Sequence, residues 1–157
     1  MHEMRMDQFD ISILVALQDD GAMTNAALSE RVNLSASQVS RRRQALEAAG
    51  VIEGYAARLN PQKLGFGMRA MTRINLRHHG QEREDEFARF IAERPEIAMA
   101  FSVSGDADYV LDIRVADLDA FATFIHTFLL PHPQVSQVRS DIVLRTMKDR
   151  PGLVFPS

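Results

Sequence analysis

No cysteine occurs among the 157 residues, which removes disulfides, thiolate metal sites and a cysteine nucleophile from consideration and suits a reducing compartment. Tryptophan is also absent, and no apolar run approaches the roughly 18 residues that a membrane span needs. The opening MHEMRMDQFD mixes charged with apolar residues, so no secretion signal is expected in it and a cytoplasmic location is the default. The histidines lack catalytic or metal spacing: His78 and His79 follow a candidate strand without a spaced partner, and His126 and His132 straddle a helix end. No catalytic residue, metal or cofactor is therefore assigned. What is present, 46% apolar and 25% charged residues, is enough to bury a core, and the length admits two small domains.

The first sixty residues are punctuated as three short helices. Asp7 is an N-cap with Asp10 in the first turn, and Phe9, Ile13, Leu14 and Leu17 form an apolar stripe that Gly21 is expected to stop in the left-handed conformation. Thr24 caps a second helix that would bury Ala27, Leu28 and Val32, and Asn33 tolerates the left-handed exit. Ser35 caps the third, with Gln38 completing a capping box and Leu34 with Val39 a hydrophobic staple. Val51 to Arg58 then reads as two brief extended pieces around Gly54, a small wing.

The third helix, SASQVSRRRQALE, carries three consecutive arginines. Residues 35–58 hold a local charge of +2 in a chain of −3, leaving −5 elsewhere, the asymmetry expected if this region meets phosphates. On a helical wheel Val39, Leu46 and Ala49 share the core side, Ser37, Arg41, Gln44 and Ala48 lie opposite, and Arg42 and Arg43 flank the buried stripe. Arg41 with Ser37, Ser40 and Gln44 makes a polar face that a major groove admits, where arginine pairs bidentately with guanine. Arg42 and Arg43 would lift their guanidinium groups to the rim, toward phosphates, and Arg58 would reach sugar-phosphate from the wing. The competing reading is a solvated face held by pairs such as Arg43 with Glu47. A short helix, a tight turn and a second helix with a hydroxyl-rich first turn is the helix-turn-helix pattern.

Asn60-Pro61 and the glycines at 65 and 67 break the pattern and suggest a linker. Met68 to Leu76 alternates with its even positions toward a core, Glu82 to Arg94 reads as a helix burying Phe87, Phe90 and Ile91, and Ile97 to Val103 and Tyr109 to Val115 alternate around a turn at Gly105. Leu118 to Leu130 is a second helix with Phe121, Phe124, Ile125 and Phe128, and Val138, Ser140, Ile142 and Leu144 form a last strand. The order is βαββαβ, the ferredoxin-like arrangement, so the fold class is α+β: a winged helix-turn-helix domain followed by a ferredoxin-like one. Two helices cover one face of the sheet. The other would carry Met71, Ala98, Ala100 and Val110 beside Arg73, Asn75, Asp112 and Arg114, and such a mixed face favours a homodimer over solvent. The expected division is 1–59 for the helix-turn-helix domain, 60–67 as linker, 68–148 for the ferredoxin-like domain, and 149–157 as tail.

Together the halves resemble the Lrp/AsnC family of bacterial and archaeal transcription regulators, over residues 7 to 148. The segments that carry the likeness are DQFDISIL at 7–14, LSASQVSRRRQALEAAGVIEGY at 34–55, Leu59-Asn60-Pro61 with Leu64-Gly65, and Ser104-Gly105-Asp106-Ala107-Asp108-Tyr109. The resemblance implies double-stranded DNA as partner, a homodimer that often builds larger rings such as an octamer, and a small effector, commonly an amino acid. Departures are Arg43 in place of an aliphatic residue, Asn33 in place of glycine, and Ser104 and Ser140 in place of threonine. An amino acid needs donors and an acid close together. The 104–108 turn offers both through the backbone at Gly105 and the carboxylates of Asp106 and Asp108. Ser140 and Asp141 match positions that line the effector site in related proteins. The DNA-binding set is thus Ser35, Ser37, Gln38, Ser40, Arg41, Arg42, Arg43, Gln44 and Arg58, and the effector set Ser104, Gly105, Asp106, Asp108, Ser140 and Asp141. Two other functions stay open at this point, an architectural DNA coater with little sequence choice and a ferredoxin-like small-molecule enzyme.

Overall fold

The computed structural model describes residues 5–77, 80–149 and 152–155; His78 and His79 lie outside the described residues. The chain divides into two compact units, residues 1–58 with 148–157, and residues 59–147. Residues 148–157 thus group with the first unit.

In the first unit the caps act as read. Asp7 accepts from the backbone N–H groups of Phe9 and Asp10 and opens α1 (Gln8–Asp19) with a reciprocal capping box to Asp10. Thr24 caps α2 (Asn25–Val32), which closes on Asn33 at φ 55°. Ser35 and Gln38 form the capping box that opens α3 (Ala36–Ala48). The core gathers Ile13, Leu14, Ala16 and Leu17 of α1, Leu28 and Val32 of α2, and Val39 and Leu46 of α3. Three details differ from the sequence reading. Gly21 is not the left-handed stop, because Asp20 turns the chain by accepting the Ala22 N–H on its own carboxylate at 3.0 Å. Phe9, Ala27 and Ala49 are exposed, since each sits just off the narrow stripe through which three short helices meet. The expected wing forms no strand pair, and residues 53–60 pass as irregular chain. Beyond α3 the chain turns at Gly50, at φ 70°.

In the second unit, β1 (Met68–Leu76), α4 (Gln81–Ala92), β2 (Ile97–Ser102), β3 (Tyr109–Val115), α5 (Leu118–Phe124) and β4 (Val135–Ile142) follow in the expected order, α5 running into a π-helical turn at Ile125–Leu129. The antiparallel sheet has the order β2-β3-β1-β4. Ala70, Ile74 and Leu76 of β1, Leu111, Ile113 and Val115 of β3, Phe87 of α4 and Phe121 and Phe124 of α5 fill the core on the helix side. Burying side chains of this size fully stabilises by about 1.5–3 kcal/mol each.

The open face differs from expectation at β2. A register shift between Ile97 and Met99 pairs Ile97 with Ile113 but Met99 with Asp112 and Phe101 with Val110. The extra residue flips the alternation. Ala100 turns to the helix side opposite Leu111, while Met99 and Phe101, 45% and 49% exposed, stand on the open face. Leu144 likewise lies beyond the end of β4, 95% exposed, rather than in the sheet.

Candidate DNA interface and effector loop

The outward face of α3 consists of side chains that the fold does not use. Ser37, Arg41 and Gln44 are exposed and Ser40 half-exposed, and neither Arg41 nor Gln44 makes a side-chain hydrogen bond or ion pair among the described residues. Ser37 Oγ is 3.1 Å from Ser35 Oγ, so its hydroxyl is held at the start of the helix. The remaining members of the predicted set serve structure. Ser35 and Gln38 are engaged in the cap, with the Ser35 N–H donating to Gln38 Oε1 at 3.0 Å.

Arg42 turns inward along the first helix instead of toward a phosphate. Its Nη1 donates to Asp10 Oδ1 at 2.7 Å and Asp7 Oδ1 at 3.0 Å, and the guanidinium lies 5.5 Å from the Phe9 ring centroid. Asp10 is only 5% exposed, so it needs this cation. The backbone N–H of Asp10, with Arg42 beside it, holds the Asp7 carboxyl below the usual carboxylate range. Arg43 is likewise committed. It stacks on Tyr55 at 4.5 Å, donates to Tyr55 Oη at 2.8 Å and Glu47 Oε1 at 3.2 Å, and reaches the Met23 carbonyl at 3.2 Å. Tyr55 donates to Glu47 at 2.8 Å and thereby lowers the Glu47 pKa, while burial pushes the Tyr55 hydroxyl up. Arg58, expected on a wing, donates to the Asp149 carbonyl at 3.2 Å. Arg43 and Glu47 thus form a structural pair within the first unit.

The predicted effector residues separate into two faces. Gly105 turns the β2–β3 connection at φ 147°, a conformation that disfavours any side chain, and Ser104 beside it is exposed. Asp106 receives Arg139 Nη2 at 2.7 Å, and that guanidinium is the first cause of its lowered pKa. Asn75 Nδ2 donates to the Asp106 carbonyl at 2.8 Å, and Asp108 Oδ2 accepts the Leu76 N–H at 2.7 Å. Arg73 pairs with Asp141. Arg73 and Arg139 sit directly opposite each other on β1 and β4, so Asp106 and Asp141 relieve a like-charge cross-strand pair. Ser140 is not brought to this cluster. It faces the helix side, with Oγ 3.0 Å from Thr72 Oγ1. Arg73, Asn75 and Arg139 complete the loop and were missing from the predicted set, although the alternation of β1 and β4 marks both arginines as open-face residues.

Similarity searches give the same reading of the two units. Residues 6–53 match the family described as winged helix-turn-helix DNA-binding, and residues 69–153 match the Lrp/AsnC ligand binding domain. The chain belongs to the Lrp/AsnC family. It is 38% identical over 144 residues, 92% of either chain, to the leucine-responsive regulatory protein of Rhizobium meliloti (strain 1021). It is 39% identical over 117 residues, 74% of this chain and 71% of the other, to a glutamate uptake regulatory protein of Zymomonas mobilis. A transcriptional regulator of Neisseria meningitidis solved as an L-Met complex superposes with a TM-score of 0.92 at 36% identity, covering 96% of this chain and 97% of that one. This Lrp/AsnC protein is accordingly a DNA-binding transcriptional regulator. No helix among its described residues is long and apolar enough to cross a membrane, and no cluster of metal-ligating side chains occurs among them.

Arg43, stacked on Tyr55 and bridged to Glu47, fixes the roll of α3 and leaves Arg41 outward.

Proposed function

We propose that this regulator reads double-stranded DNA with Ser37, Ser40, Arg41 and Gln44 of α3, acting as a cytoplasmic homodimer without enzymatic activity, and that a free amino acid modulates its binding. The observation that carries the reading is the division of labour among the three arginines. Arg42 and Arg43 are tied to the first unit's own acids and Tyr55, whereas Arg41 is exposed and without a partner among the described residues. Arginine so presented can pair bidentately with guanine, a contact that discriminates by about 1–3 kcal/mol.

The dimer rests on the open sheet face. Met99 and Phe101 are exposed there beside Val110, and Asp112, 0% exposed, is held bidentately by Arg69 at 2.8 and 2.9 Å with Arg114 at 3.2 Å. Apolar side chains around a fixed ionic cluster suit a self-complementary twofold contact. A twofold protein matches half-sites one helical turn apart, and dimers joined into an octamer would gain from raised effective concentration along several sites. For the effector, the Arg73, Arg139, Asp106 and Asp141 group offers cations to a carboxylate and acids to an ammonium, with Ser104, Gly105 and Asp108 in the same turn. Two relatives, a regulator solved as an L-Met complex and a glutamate uptake regulatory protein, support an amino acid as the class.

The test is selection of bound genomic fragments with and without L-methionine, L-leucine and L-glutamate, followed by affinity for the enriched duplex against random duplex at two salt concentrations. Enrichment of one pseudo-palindrome that Arg41→Ala abolishes supports the reading. Equal affinity for both duplexes marks an architectural coater and overturns it. An unchanged affinity and oligomer size with every amino acid overturns the sensing role alone.

A further inference from the structure

We infer that residues 148–149 and 152–155 form a strap that completes the DNA-binding unit and steadies α3, so that releasing it weakens DNA binding. The effect on DNA rests on the reading of α3 given above; the strap itself rests on contacts within the first unit. Gln18, near the end of α1, pairs its side-chain amide with both backbone groups of Leu153. Its Nε2 donates to the Leu153 carbonyl at 3.2 Å, and its Oε1 accepts the Leu153 N–H. The amide stands in for a neighbouring strand. Gly152 makes this approach feasible: its φ is +141°, and a Cβ there would meet Gln18 Oε1 at 3.0 Å. Phe155 then packs against the first unit's core, the cluster to which Ile13, Leu14, Leu17, Val39 and Leu46 belong. Upstream, Asp149 takes Arg58 on its carbonyl at 3.2 Å and on its carboxylate at 3.6 Å.

The strap touches the same core that orients the reading helix. Val39 and Leu46 belong to α3, and Ile13, Leu14 and Leu17 to α1, to which α3 is also fastened through Arg42. Loss of Phe155 therefore opens the core on which the outward roll of Arg41 depends. The contact is also built to be lost. Leu153 and Val154 are 77% and 95% exposed, so only backbone pairing, one half-buried ring and an exposed ion pair hold the strap. Exposed pairs of that kind contribute little, which places the strap at the low-stability end where switching elements are found. Its other end follows β4, which carries Arg139 and Asp141, across residues 143–147, so a shift of that strand has a covalent route into the DNA-binding unit besides the one at residues 58–59.

Amide hydrogen exchange and DNA affinity, measured on the full chain, a chain ending after Met147, Phe155→Ala and Phe155→Leu, test the inference. Expected for the shortened chain and Phe155→Ala is exchange in α1 and α3 faster by about tenfold (roughly 1.4 kcal/mol), with β1–β4 unchanged, weaker operator binding by a similar factor, and substantial recovery in Phe155→Leu. Unchanged exchange in α1 and α3 for Phe155→Ala overturns the strap whatever happens to DNA. Faster exchange with unchanged operator affinity overturns its link to α3, while an intact chain that selects no operator overturns the regulator reading instead.

Discussion

Replacing Arg42 by alanine separates the structural arginine from the reading one. The change strips the buried Asp10 carboxylate of its cation at 2.7 Å and leaves it only the Asp7 N–H at 3.1 Å. Exposed ion pairs contribute about 0–1 kcal/mol, and breaking a fully buried pair costs about 3–5 kcal/mol. Here the side chains are 26% and 7% exposed, so the loss falls between, at about 2 kcal/mol. The Phe9 contact adds about 0.5 kcal/mol. For a unit of this size each kcal/mol shifts the melting temperature by about 4–8 °C, so a drop on the order of 10 °C is expected in the first unit. Arg41→Ala should leave melting within about 0.5 kcal/mol of the parent and instead reduce discrimination between operator and random duplex roughly ten- to a hundredfold. Scanning calorimetry together with anisotropy titrations over a salt series measures both. If Arg42→Ala melts with the parent while its log affinity against log salt slope falls by about one, Arg42 contacts a phosphate and the reasoning is refuted.

Three further outcomes follow from the second unit. Phe101→Arg places charge on the open sheet face and should convert the proposed homodimer to monomer in sedimentation without unfolding β1–β4; a retained dimer would locate the contact elsewhere. Gly105→Ala forces a side chain onto φ 147° and should destabilise the second unit by about 1 kcal/mol or more in urea unfolding, with a loss of effector response. His132, packed against Phe87 and Phe90 and accepting the Gln134 N–H on Nδ1 at 3.3 Å, has its pKa lowered first by burial, with Arg94 also lowering it and Glu86 opposing. The folded chain therefore takes up this proton at lower pH than the unfolded chain. Its contribution is complete above the ordinary value of 6.5 and is lost as pH falls below it, so urea midpoints at pH 7.5 and 5.5 should differ less in His132→Gln.

What could be read from the residue string alone is what is settled within three or four positions. The caps at Asp7, Thr24 and Ser35, the left-handed Asn33 and the period of β1 all depend on near neighbours, and each was legible. The outward Arg41 followed from helical periodicity. Contacts across longer spans were not legible. Arg42 finds Asp10 at a separation of 32 residues and Arg43 finds Asn25 at 18, so a wheel that places both beside the core cannot say which acid or ring awaits them. The β2 bulge is decided by pairing with β3, and the period-two pattern of Ile97, Met99, Phe101 and Val103 conceals it. Ser140 was placed by likeness to relatives rather than by strand parity, and parity puts it opposite Thr72 on the helix side. Gln18 and Leu153 lie 135 positions apart, beyond the reach of any local rule.

The discontinuity of the first unit bears on the order in which the chain is finished during synthesis. Its helices leave the ribosome first, yet Leu153 and Phe155 emerge only after every residue of β1–β4. Phe155 is thus made after every other side chain of the first unit's core and after the whole sheet-bearing unit.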